Sequence, residues 1–135
     1  MKSHIRSRLH VLVWCLLMSV AALVVATHGA NAAEAPTLTL SRSSATYLEN
    51  DAGFFVDGDL SITGYSGNID GARVFIDRGY RSAEDSLQFT PSGGINGSFQ
   101  SSTGILTLSG SASASAYQTV LRSVRYVNGS DNPTT

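Results

Sequence analysis

Beyond Ala32 this chain contains no histidine, cysteine, lysine, tryptophan or methionine. His4, His10, His28, Cys15, Trp14, Lys2 and both methionines all fall within the first 32 residues. Each absence removes a chemistry. Without His or Cys there is no zinc site of the usual nitrogen and sulfur type, no Cys nucleophile and no Ser-His-Asp triad. Without Lys there is no Schiff base. With no cysteine there is no disulfide, so the domain depends on its own core. Paired carboxylates remain open to a secreted hydrolase, with Glu84 and Asp85 as the candidates. The lack of tryptophan or an aromatic cluster for a sugar to stack on weighs against that route.

The residues that hold the missing types form a leader. Lys2, Arg6 and Arg8 make a basic start, Val11 to Ala26 is almost uninterruptedly apolar, and Ala30-Asn31-Ala32 supplies an A-x-A cleavage signal. The apolar run is short of the ~20 residues a spanning helix needs. Residues 1–32 therefore read as a signal peptide cut after Ala32, with Ala33 the second choice. Cys15 lacks the small residues that precede a lipidated cysteine. A mature domain of 33–135 is expected, secreted or at the cell surface, with no stable membrane span. The full chain has a formal charge of −1. Beyond Ala32, six arginines face ten acids, which leaves −4 and argues against nucleic acid as a partner.

What the mature segment does have is many short strand-like runs, several of them alternating, divided by turn residues. They are Thr37–Leu40, Ala45–Leu48, Phe54–Val56, Leu60–Thr63, Ala72–Ile76, Leu87–Phe89, Phe99 and Ile105–Leu108. Leu60 and Ile62 share one face, and Ala72, Val74 and Ile76 share another. Asp57-Gly58-Asp59, Asp70-Gly71, Asn96-Gly97 and Thr103-Gly104 punctuate them. Short strands at this spacing, without long helical patterns, predict an all-β antiparallel sandwich. One segment departs from that pattern. Tyr117, Val120 and Leu121 recur at helical spacing and predict a single turn crossing between sheets, after the small residues of Ser109–Ala116. Tyr117 and Phe89 are expected in the core. Val124, Tyr126 and Asn128 then alternate into another strand.

Gly94 to Thr135 resembles the second half of a bacterial cadherin-like repeat. The matching features are the Gly-x-Phe strand, the TG-x-LTLSG-x-A element, YQ-x-x-LRSV-x-Y, and the closing N-x-SDNP loop. Tyr47–Asn50, Leu60–Thr63 and Glu84–Phe89 fit more loosely. The resemblance implies an immunoglobulin-like β-sandwich in a large secreted or surface adhesin-type protein. Its role would be non-catalytic adhesion or architecture, with calcium at the junctions between repeats. Two departures stand out. Gly64 occupies the place of an expected Asp. The chain also stops at Thr135, where such repeats continue into one more strand.

Calcium takes about six to eight oxygen ligands. The resemblance places Glu49, Asn50 and Asp51 at one end of the sandwich, and Asp70, Asp131 and Asn132 at the other. Each set is at most half a site. A missing last strand would leave an open edge and an apolar groove. That edge would be closed by a continuing reading frame, by Thr37–Leu40, or by a strand-donating protein. The expected partners are therefore other repeats of the same polypeptide or such a donor. Asn96-Gly97-Ser98 and Asn128-Gly129-Ser130 match the glycosylation acceptor pattern but read first as turns.

Overall fold

β-Branched and aromatic residues at period two form strands because alternate side chains leave opposite faces of the backbone. The structure, a computed structural model, describes residues 8–9, 11–14, 35–42, 45–46 and 53–130. In chain order its elements are β1 (Arg8–Leu9), β2 (Val11–Trp14), β3 (Thr37–Thr39), β4 (Ala45–Thr46), β5 (Phe54–Phe55) and β6 (Ser61–Thr63). There follow β7 (Asn68–Ile76), β8 (Asp85–Gln88), β9 (Asn96–Gln100), β10 (Ile105–Ser113), α1 (Ala114–Arg122) and β11 (Arg125–Asn128). Among the described residues strand far exceeds helix, and every strand pairing is antiparallel.

One sheet runs β2-β7-β10-β9 and another β5-β11-β8, while β3 pairs with β6 and β1 with β4. Between the layers lies one apolar cluster. Val74, Ile76, Leu106 and Leu108 come from the first sheet, and Leu87 and Tyr126 from the second. Leu60, Ile62, Tyr117, Val120 and Leu121 extend it beneath the helix. The predicted face assignments hold: Ala72, Val74 and Ile76 are buried while Arg73 is exposed. Phe89 lies at the margin, half-buried against the cluster.

The predicted single turn is a nine-residue helix. The small-residue run divides between two elements. Its first half extends β10 to Ser113, and its second half opens α1. Ser113 marks the change, because its hydroxyl accepts from the Ala116 amide at 3.2 Å as an N-cap. A β-bulge breaks the register of β10 against β7 between Ser109 and Ala112. Gly110 sits there at φ +130°, and a Cβ at that position would meet the Gly94 carbonyl oxygen at 2.6 Å. Only glycine fits that close approach.

β11 has β5 on one side and β8 on the other. Thr37–Thr39, one of the three candidates for closing an open edge, pairs with β6. The outer edge of β7 carries β2, in the register Val11↔Ile76 to Trp14↔Arg73. Val11–Trp14, within the residues expected to form a signal peptide, thus supplies an edge strand to the larger sheet.

Candidate functional site

Two buried carboxylates stand out from the loops that join these strands. Asp85 opens β8 and is buried. Its Oδ1 accepts from the Tyr126 hydroxyl at 2.5 Å and the Asn128 side-chain amide at 2.7 Å. Its Oδ2 accepts from the Arg81 amide at 2.7 Å. Tyr126 and Asn128 lie two apart on β11, so alternation brings both to the same side, opposite β8. Asn128 Oδ1 accepts from the Ser130 amide at 2.9 Å, which turns the chain as it leaves β11. Both oxygens of Asp85 are therefore engaged in holding a loop to a strand. An acid or base in hydrolysis must reach a proton on the substrate, and this carboxylate is sealed beneath its donors. Its neighbour Glu84 is half-buried, and its main-chain carbonyl accepts from the Gly129 amide at 2.7 Å.

Asp57 is 2 % exposed. It accepts from the Ser41 amide at 2.6 Å, the Ser41 hydroxyl at 2.5 Å and the Asp59 amide at 3.1 Å. Burial pushes its pKa up. The Ser41 side-chain and backbone bonds, with those from the Asp59 and Arg42 amides, outweigh that and hold it below the ordinary value of 3.8. The sequence marked Asp57 only as a turn residue. Its second role, fastening the segment after β3, depends on a partner 16 residues away.

The helix carries a third polar arrangement. Gln118 and Arg122, one turn apart, reach the backbone of β6 and of the residue just before it. Gln118 Oε1 accepts from the Ile62 amide at 2.9 Å, and Arg122 Nε donates to the Leu60 carbonyl at 2.8 Å. Helical spacing puts these residues off the face of the buried Tyr117, Val120 and Leu121, and only the fold decides what they touch. The buried face meets the bulge as well: the Tyr117 hydroxyl donates to the Gly110 carbonyl at 2.7 Å.

Of the expected calcium ligands, Asp70 lies exposed in β7. Glu49, Asp51, Asp131 and Asn132 lie outside the described residues, as do Asn50 and Ala32, the expected cleavage point. Among the described residues, no group of three or more His, Cys, Asp or Glu gathers where it could hold a metal. No helix among them is long and apolar enough to cross a membrane.

The chain is 40% identical over 103 residues to a segment of Halomucin from Haloquadratum walsbyi (strain DSM 16790 / HBSQ001). That match takes in 72% of this chain and 1% of Halomucin, so the chain is similar to one small piece of a far longer protein. No protein-family model matches it, and no solved structure does.

Proposed function

We propose that this chain is a non-catalytic structural module of the cell surface or its exterior, of the kind that recurs within very long polypeptides. The observation that carries the reading is the Halomucin match, in which nearly three quarters of this chain aligns with one hundredth of the other. The all-β architecture supports it, and so does the use of buried carboxylates as fasteners: Asp57 ties the turn before β6 to the segment after β3, and Asp85 ties β8 to β11. Adhesion through a cadherin-like arrangement is the finer form of the proposal. In that form other repeats, or a strand-donating protein, are the partners. Calcium would take Asp70, Asp131 and Asn132 as one half-site and Glu49 and Asp51 as the other. Each half-site would be completed by a neighbouring module.

Two measurements test the two levels separately. The full chain is expected to leave polysaccharide substrates intact, and hydrolysis abolished by Glu84→Gln would overturn the non-catalytic reading. Calorimetric titration with calcium is expected to show weak binding, in the millimolar range of extracellular modules. Micromolar binding by the isolated chain would replace the half-sites with a complete site.

A further inference from the structure

The two N-x-S sequences look equivalent in the chain, yet the fold treats them differently. Asn96 begins β9, the outer strand of its sheet, with β10 on its inner side. Asn96, Gly97 and Ser98 are all exposed. A Cβ on Gly97 would lie 2.7 Å from Leu108 Cδ2 and 2.8 Å from Phe89 Cζ, so the strand turns Gly97 toward the packed side. Alternation then places Asn96 and Ser98 together on the opposite, solvent side. Before them, the Gly93-Gly94 turn has φ values of +62° and +78°, and a Cβ on Gly94 would meet nothing within 4 Å. The acceptor amide and its hydroxyl partner are presented side by side in open space.

Asn128 is the reverse case. It is half-buried, its amide nitrogen donates to Asp85, and its carbonyl oxygen accepts from the Ser130 amide. Attaching a sugar to that nitrogen would drive a bulky group into the contact between β11 and the start of β8.

We infer that Asn96 is an N-glycan attachment site on the folded chain and that Asn128 is not. The co-reactant is a polyprenyl-pyrophosphate-linked oligosaccharide, presented by a transferase on the outer side of the membrane. The Asn96 Nδ2 bonds to C1 of the first sugar, and the C1–O bond to the pyrophosphate breaks. The lipid pyrophosphate leaves with that bond's electrons, and Nδ2 releases one proton to solvent. A glycan here has a physical consequence. Asn96–Gln100 has neither the charge nor the proline that ordinarily protects an outer strand from pairing with another copy. A bulky hydrophilic chain at its first residue supplies that protection. The inference requires that the chain be exported, and it stands apart from both the repeat and the calcium readings.

The test offers the folded full-length chain, and synthetic peptides spanning each sequence, to a single-subunit oligosaccharyltransferase with its lipid-linked donor. Sites are mapped by mass spectrometry after peptide-N-glycosidase treatment in heavy-oxygen water. Both peptides are expected to accept glycan. The folded chain is expected to accept it at Asn96, with loss of modification at Asn128. Asn96→Gln abolishes the folded-state signal, and so does Ser98→Ala, an exposed change that leaves the packing intact. Modification of both asparagines to the same extent in the folded chain would overturn the inference. So would an unmodified Asn96 in the folded chain alongside a modified Asn96 peptide.

Discussion

Tyr117 shows how much one side chain can hold together. Its ring fills the space under the helix, and its hydroxyl satisfies the Gly110 carbonyl at the bulge. Tyr117→Phe keeps the ring but leaves that carbonyl without its donor. We expect a loss of about 1–3 kcal/mol, read as a lower denaturant midpoint at unchanged slope. An unchanged midpoint would show that water replaces the hydroxyl. Asp57 gives the residue scale its pH dependence. Its folded pKa lies below the unfolded value, so its stabilisation is complete above pH 3.8 and is lost as the pH falls through the folded value. Unfolding free energy measured against pH should therefore fall off in the acid range below 3.8, and Asp57→Asn should flatten that limb. The sequence exposed both side chains as notable, one by helical spacing and one by its turn. It could not reveal their hydrogen-bond partners, which the chain brings in from other elements.

The helix replaces a strand at the element scale. β6 has β3 as its strand partner, and backbone groups beside it are met by Gln118 and Arg122 from α1. Unpaired main-chain groups are costly once removed from water, and two side chains one helical turn apart are spaced to cap them. We expect Gln118→Ala to speed amide exchange at Ile62 while the helix stays folded. Arg122→Ala should cost about 1.5–3 kcal/mol, as for a hydrogen bond from a charged donor. Unaltered Ile62 exchange in Gln118→Ala would remove the capping role. The helix itself was legible in the sequence, but its length was not. Small residues such as those of Ser109–Ala116 extend or coil with similar ease, and the serine cap at residue 113 settled the boundary.

At the scale of the whole molecule, the larger sheet ends in a strand drawn from the first 32 residues. β2 covers the outer edge of β7. In the full chain, edge amides of β7 paired with β2 are expected to be protected. Cutting after Ala32 should raise their exchange, while amides of β7 bonded to β10 stay slow. Uniform exchange before and after the cut would show that β2 contributes nothing to the sheet.

Composition alone removed thiol, imidazole and amine chemistry from everything beyond Ala32, because a missing side chain cannot be supplied by folding. Periodicity determined which faces of the strands and helix are buried, since alternation and helical pitch are local properties of the backbone. Long-range contacts lay beyond it. The tertiary structure decided that Asp57 and Asp85 are fasteners, that α1 caps the backbone beside β6, and that β2 lies on β7. It also distinguished the two N-x-S sequences, which are chemically alike in the chain. One faces solvent on an outer strand and the other is bound to a buried carboxylate 43 residues away.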